Sequence, residues 1–177
     1  MKTVSLQSQI VYGPIDSRRF GKSLGINRDL HFPKVPLGIL SNSSTCHKEE
    51  IRNALSKLDG RFMKLDAGSL YIFHDINRPF TTLLWGDVVE GLCKLPKVTI
   101  QSMFVRGRVD NTLERAVNDW IEAVKCIGPS EVQIYTVNRI PQEEGILPVE
   151  EEVLNDISKK LLLKTQIQSV VYSDETT

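Results

Sequence analysis

The chain has 177 residues, of which 41% are hydrophobic and 25% are charged, a composition typical of a globular domain. The 22 Lys and Arg residues balance the 22 Asp and Glu residues, so the sequence has no overall field for nucleic acid or an anionic membrane. No apolar run approaches the roughly 20 residues of a membrane-spanning helix, and the first residues lack a signal-peptide core. We therefore expect a single cytoplasmic domain over residues 1–177, with no membrane partner and with nucleic acid not favoured.

Strand-like and helix-like segments alternate along the chain, which is typical of a parallel α/β sheet. The predicted strands are, in chain order, 4–11, 37–40, 62–65, 99–104, 132–136 and 167–171. Apolar residues at helical spacing predict helices around 51–58, 84–95, 113–124 and 150–164. A long loop is expected between the third strand and Pro79.

Punctuating residues mark where these helices begin and end. Ser44 or Thr45 is a candidate N-cap for the first helix, and Asp59-Gly60 is expected to end it. Asn111, with Glu114 three residues later, predicts a capping box, and Gly128 is a C-terminal stop for the same helix.

The cysteines are Cys46, Cys93 and Cys126. Their odd number and wide separation along the chain favour reduced thiols over a disulfide framework. Each falls near the start or end of a predicted helix, where buried cysteine commonly acts as a small hydrophobic residue. We expect all three to be buried and to hold no metal.

The strand and helix count sets the architecture. A complete eightfold βα barrel takes about 250 residues, so we predict an α/β fold that is a partial, incomplete TIM-type βα barrel. Such an open sheet exposes an unpaired strand edge near residues 37–40. A strand edge of this kind invites pairing with a second copy, which makes a homodimer an expected partner arrangement.

Polar residues gather where the predicted strands end, and ligands of α/β sheets bind at the carboxyl ends of strands. Lys64, Gln101 and Tyr135 lie within otherwise apolar strands, and each needs a partner if it is buried. The loop that holds Asn77, Arg78 and Pro79 is long enough to be a functional lid or a simple surface turn. The residues at the strand ends themselves are Ser41, Asn42, Asp66, Arg106 and Arg139.

A glycine-rich run near the N-terminus is the most specific motif. Residues 12–27 read YGPIDSRRFGKSLGIN and combine three glycines with Arg18, Arg19 and Lys22. Backbone amides beside glycine and fixed guanidinium groups favour a phosphate or a carboxylate, so we expect this loop to grip an anion. The run resembles the opening of a family of radical S-adenosylmethionine (radical SAM) proteins.

Further segments follow in the order of that family, at residues 39–43, 63–67, 76–79, 100–107 and 132–139. In the family, a C-x-x-x-C-x-x-C triplet that holds a 4Fe-4S cluster follows the glycine-rich run. Here the run leads through Lys34 to Val35 without that triplet. The resemblance therefore implies a radical SAM fold with an apparent internal deletion at the 34/35 junction.

The resemblance also implies where ligands would bind. SAM and the 4Fe-4S cluster are expected for the parent protein, and no cofactor is expected in this chain. The expected cofactor-binding residues are Ser41, Asn42, Lys64, Asp66, Gln101 and Tyr135. The expected substrate- or anion-binding residues are Ser17, Arg18, Arg19, Asn77, Arg78, Arg106 and Arg139.

Two hypotheses remain open from the sequence. The parent protein is a radical SAM iron–sulfur oxidoreductase that acts on an unknown substrate, in which case this chain lacks the cluster ligands and is inactive by itself. Alternatively, the chain is a catalytically inactive module that binds a nucleotide, an anion or a peptide. The sequence has no P-loop, no G-x-S-x-G motif and no zinc spacing, and no catalytic residue is assigned.

Overall fold

A computed structural model describes residues 11–17, 21–26, 36–79, 83–138 and 143–173. The chain divides into two compact units, residues 1–35 and residues 36–177. The predicted strand 4–11 falls outside the described residues except for Val11, and so does the 34/35 junction. Within the described residues, no helix is long and apolar enough to cross a membrane.

The first unit contains an antiparallel pair of strands, β1 (Val11–Ser17) and β2 (Gly21–Ile26). The pairing runs from Val11 opposite Ile26 to Ser17 opposite Gly21, with an irregularity between Tyr12 and Ile15. Gly13 and Pro14 occupy that irregularity, in keeping with the tolerance of bulges for both residue types. The expected glycine-rich loop is therefore wrong for these segments, because the spaced glycines permit extended strands.

The second unit is built on a five-stranded parallel sheet with the strand order β3-β4-β5-β7-β9. The predicted α/β class with parallel strands is confirmed. The strands of this sheet are β3 (Gly38–Ser41), β4 (Gly60–Lys64), β5 (Thr99–Phe104), β7 (Glu131–Thr136) and β9 (Ser169–Tyr172). The short strands β6 (Arg106–Gly107) and β8 (Ile146–Leu147) pair with each other beside it.

Within the described ranges, five helices connect these strands. They are α1 (Glu49–Leu55), α2 (Leu70–Asn77), α3 (Trp85–Cys93), α4 (Glu114–Ile127) and α5 (Glu151–Thr165). Because neighbouring strands in the sheet follow their order along the chain, right-handed crossovers place the connecting helices on one face. On that face Trp120 of α4 packs edge-on against Phe104 of β5, with ring centroids 5.1 Å apart.

Helix α4 shows how the sequence specifies this packing. Its buried apolar residues recur at helical spacing, while the intervening polar residues are exposed or half-buried. Gly128 ends the helix in the left-handed region with φ of 61° and donates its amide to the carbonyl of Val124. The predicted stop at Gly128 is confirmed.

The predicted capping residues are wrong. Helix α1 follows Lys48 and α4 follows Leu113, and neither has a side-chain cap. Asn111 lies before α4, and its side chain bonds backbone groups of the strand ends instead. Helix α1 also ends at Leu55, and Gly60 already begins β4.

The long loop expected before Pro79 contains a helix. Helix α2 spans Leu70–Asn77 and buries Phe73. Asn77 is its last residue, and Arg78 is its C-cap in the left-handed region, with φ of 41°. Eight residues with one buried anchor give too short a periodic pattern to detect in the sequence.

Candidate functional site

Three polar side chains lie in one row across the sheet. Lys64 stands opposite Gln101, and Gln101 stands opposite Gln133. Alternate residues of β5 point to opposite faces, and Ser102 contacts Trp120 of α4, so the row lies on the face away from α4. Gln101 donates its amide to the side-chain oxygen of Gln133 at 2.7 Å. The expected need of Gln101 for a partner is thus met by a residue that the sequence did not single out.

Lys64 and Asp66 form an ion pair with an Nζ–Oδ2 distance of 3.1 Å. The Asp66 side chain is fully buried, while that of Lys64 is 32% exposed. The other carboxylate oxygen of Asp66 accepts the backbone N–H of Met103 at 2.8 Å. Asp66 therefore joins the end of β4 to β5. In the ion pair of Lys64 with Asp66, Lys64 is the partly exposed residue.

Asp66 belongs to what we call the buried strand-end network, which consists of Asp66, Ser102, Asn111 and Trp120. Asn111 accepts the N–H of Val105 at 2.8 Å and donates to the carbonyls of Asp66 and Met103. Ser102 donates to the carbonyl of Leu65 and accepts the indole N–H of Trp120 at 2.9 Å. The network fixes the strand ends against α4.

Ser41 and Asn42 turn the chain after β3. The Ser41 hydroxyl accepts the N–H of Ser43, and the Asn42 side-chain oxygen accepts the N–H and the hydroxyl of Ser44. The Asn42 side chain is exposed. Both residues lie at the carboxyl end of an edge strand, where the sequence placed them.

A cavity of about 330 Å³ opens near the ends of β5 and β7, at the lower end of the size range of small-molecule sites. Six of its ten lining residues are apolar and four are charged. The charged residues are Asp75, Arg78, Arg108 and Glu143; the apolar ones are Ile76, Met103, Val105, Val109, Val137 and Ile146.

Three of the charged residues form what we call the arginine–glutamate cluster, namely Arg78, Arg108 and Glu143. Arg78 holds the Glu143 carboxylate with two bonds, at 2.8 Å and 3.1 Å, and Arg108 contacts it at 2.7 Å. The sequence singled out Arg78 but missed Arg108 and Glu143. The contact between Arg78 and Glu143 crosses 65 positions, and one sequence carries no signal for such a pairing.

The remaining predicted residues lie elsewhere or outside the described residues. Arg106 pairs with Glu150 at 2.6 Å and also donates to Thr112. Tyr135 is half-buried and stands opposite Tyr172. Ser17 ends β1. Arg18, Arg19 and Arg139 lie outside the described residues.

The cysteines differ in exposure. Cys46 is buried, as predicted, whereas Cys93 and Cys126 are exposed, so the prediction of burial is wrong for both. Each occupies the polar side of the last turn of its helix, and their sulfur atoms are 3.3 Å apart. Burial raises the pKa of the Cys46 thiol to about 11, against an opposing effect of the Arg52 charge.

A 4Fe-4S cluster does not fit the residues present. Such a cluster is held by cysteine thiolates, but one of the three cysteines is buried in the core with a protonated thiol favoured. Across the described ranges, no group of three or more His, Cys, Asp or Glu side chains is arranged to hold a metal. The full sequence contains no C-x-x-x-C-x-x-C triplet.

No family model matches the sequence. The chain is 28% identical over 127 residues to a UPF0026 protein of Methanocaldococcus jannaschii, which covers 70% of this chain and 39% of that protein. It is 26% identical over 129 residues to the GTPase Obg of Brachyspira hyodysenteriae, covering 71% of this chain and 19% of the GTPase. The chain therefore spans well under half the length of these curated relatives.

Solved structures share the fold at low sequence identity. A radical SAM methyltransferase from Sphaerobacter thermophilus superimposes with a TM-score of 0.59 at 14% identity, covering 76% of this chain and 40% of the enzyme. A domain of a pyruvate-formate lyase-activating enzyme from Bacteroides vulgatus gives a TM-score of 0.57 at 9% identity, covering 77% and 80%. TYW1 with a bound lysine-pyruvate adduct gives 0.57 at 11% identity, covering 72% and 40%. The fold resembles that of radical SAM enzymes.

Proposed function

We propose that this chain is the sheet-and-helix part of a radical SAM protein, and that it binds SAM and a small substrate at the strand ends. The supporting observation is the parallel sheet, whose strands follow chain order and whose polar row lies on the face away from α4. That arrangement is the one that an arc of an incomplete βα barrel would have, with the row on the inner face.

The proposed ligand surface combines polar side chains at the strand ends with the neighbouring cavity. Lys64, Gln101 and Tyr135 offer a charge, an amide and a phenol on neighbouring strands, which suits a nucleoside with a charged amino-acid part. Asn42 adds an exposed amide at the edge strand. The cavity near the ends of β5 and β7, whose wall is partly apolar and partly charged, is the proposed place for the substrate.

The role proposed for this chain is ligand binding, because the cluster does not fit its residues. Radical chemistry would belong to the parent protein, if its gene encodes the cysteine triplet across the junction of Lys34 and Val35. The GTPase relative adds nothing to the proposal, since the sequence has no P-loop. We also propose that the edge strand β3 pairs with a second copy, which light scattering on the intact protein tests.

Calorimetric titration with SAM tests the binding proposal. The native chain should bind SAM, and Tyr135→Phe should weaken binding roughly threefold to tenfold, the loss of one hydrogen bond. Tyr71→Phe is the matched control, because Tyr71 lies on α2 and is 74% exposed. Absence of SAM binding to the native chain would overturn the proposal.

Anaerobic reconstitution with iron and sulfide tests the assignment of the cluster to the parent protein. The 177-residue chain should remain colourless. An absorption band of a 4Fe-4S cluster, with close to four irons per chain by the composition of such a cluster, would contradict this assignment. A protein that carries the encoded triplet is the positive control.

A further inference from the structure

The arginine–glutamate cluster lies on the wall of the cavity near the ends of β5 and β7. Both oxygens of the Glu143 carboxylate are engaged, one by Arg78 alone and the other by Arg78 and Arg108. Two guanidinium groups thus converge on one carboxylate. A planar fork of donors is suited to a carboxylate or a phosphate group.

We propose that Arg78 and Arg108 bind the carboxylate or phosphate group of a small ligand in this cavity, and that Glu143 occupies the place of that group in the free protein. The proposal deepens the proposed function, because it names the ligand class of the substrate cavity, and it rests on that function for calling the ligand a substrate. The anion contact itself requires neither SAM nor a cluster.

Exposure makes the exchange feasible. The side chains of Arg78, Arg108 and Glu143 are 52%, 50% and 44% exposed. Half-exposed ion pairs hold their partners weakly, because water screens the charges and long side chains lose freedom. A ligand whose apolar part lies against Met103 and Val137 would bring its anion close to the arginines and compete with Glu143.

The charge balance favours a ligand with one net negative group. The four charged residues of the cavity wall comprise two arginines and two carboxylates, and Asp75 is the second carboxylate. If Glu143 leaves the wall, Arg78, Arg108 and Asp75 together carry one positive charge. One carboxylate or one singly charged phosphate group restores neutrality.

The backbone conformation of Arg78 gives a second reason to assign a role to its side chain. Arg78 is a helix C-cap in the left-handed region, with φ of 41° and ψ of 58°, where glycine or asparagine is the usual residue. A residue with a Cβ atom, such as arginine, is strained in the left-handed region. Glycine at this position would end the helix without that strain. The guanidinium contact at the cavity gives a reason for an arginine there.

Titrations with acetate and with inorganic phosphate at constant ionic strength, followed by NMR shifts of residues around the cavity, test the proposal. Glu143→Gln should bind one of these anions about tenfold more tightly than the native chain, since the competing ion pair is removed. The more tightly bound probe identifies the anion class. Glu144→Gln, the same change at the next residue, should leave affinity close to native and so controls for net charge.

Arg78→Gly and Arg108→Gln, each combined with Glu143→Gln, should abolish saturable binding. Arg78→Gly should do so without lowering the melting temperature, because glycine suits the backbone conformation at this position. Equal affinity in all variants, or no saturable binding by Glu143→Gln, would overturn the proposal. Neither outcome bears on SAM binding, and a failure of SAM binding leaves this titration unaffected.

Discussion

The buried strand-end network and the arginine–glutamate cluster both tie the strand ends to neighbouring segments, but they use their polar groups differently. In the network, Asn111 is 2% exposed, and its side chain forms hydrogen bonds with three backbone groups. In the cluster, the half-exposed side chains of Arg78, Arg108 and Glu143 bond one another. Polar groups bonded to buried backbone have no spare partners to offer a ligand, whereas side chains paired at the surface can exchange partners.

Replacing Asn111 would test the structural half of this comparison most severely. Asn111→Ala leaves the N–H of Val105 and two carbonyls without their partner, and a buried unsatisfied group costs about 1–3 kcal/mol. We expect the free energy of unfolding to fall by about 3 kcal/mol or more in denaturant titrations. Asn53→Ala, at an exposed site on α1, should change it little; equal effects would contradict a structural role for the network.

Gly68→Ala would test the close approach of the strand-end loop to α4. A methyl group at Gly68 would lie 1.9 Å from the backbone nitrogen of Trp120, which a side-chain rotation cannot relieve. We expect a loss of about 3 kcal/mol, the upper range for overpacking.

Gly86→Ala is the matched control, since nothing lies within 4 Å of its added methyl group. In α3 this change should stabilise the protein by roughly 0.5–1 kcal/mol, because alanine favours a helix. Thermal unfolding distinguishes the two glycines. A stable Gly68→Ala protein would show that α4 can move away from the loop.

The sequence predicted the parts of the molecule that depend on local patterns. Strand β5 matches its predicted bounds of 99–104, and α4 was recognised from the helical spacing of its apolar residues. The prediction for Asn111 was wrong because a local pattern suggested a helix cap. In the fold, its side chain bonds backbone groups of the strand ends, and the sequence alone does not reveal that they lie nearby. It missed Arg108 and Glu143 for the same reason: their pairing depends on distant segments meeting at the cavity.

The cluster should contribute little to stability if it serves a ligand. Glu143→Gln breaks two exposed ion pairs, each worth about 0–1 kcal/mol. We expect the free energy of unfolding to fall by about 2 kcal/mol at most, and by less in high salt. A loss as large as that of Asn111→Ala would instead assign Glu143 to the framework and remove the contrast between the two regions.

Thiol labelling extends the comparison of buried and exposed groups to the cysteines, and it measures reactivity instead of the free energy of unfolding. Cys93 and Cys126 should react with iodoacetamide in the folded protein, and Cys46 only after unfolding, as mass spectrometry of peptides would report. Desolvation, followed by the hydrogen bond to Cys126, raises the pKa of Cys93 to about 11. Its labelling rate should therefore keep rising with pH up to about that value. Rapid labelling of folded Cys46 would contradict its burial.

Alkaline pH should also affect stability through Cys46. Its pKa of about 11 in the folded chain exceeds the ordinary value of 9.0, so folding favours the protonated thiol. That contribution is complete below about pH 9 and disappears as the pH rises through about 11. Unfolding curves of Cys46→Ala should lack this component of the alkaline decline.

The strand order has a consequence for how such a sheet is assembled. Among the described residues, each strand of the five-stranded sheet pairs with the strands that come next to it in the sheet's chain order, β3-β4-β5-β7-β9. A strand–helix unit added before β3 or after β9 would therefore extend an edge without breaking an existing pair. Such a sheet can gain or lose whole strand–helix units at its two edges while the pairs between its central strands are kept.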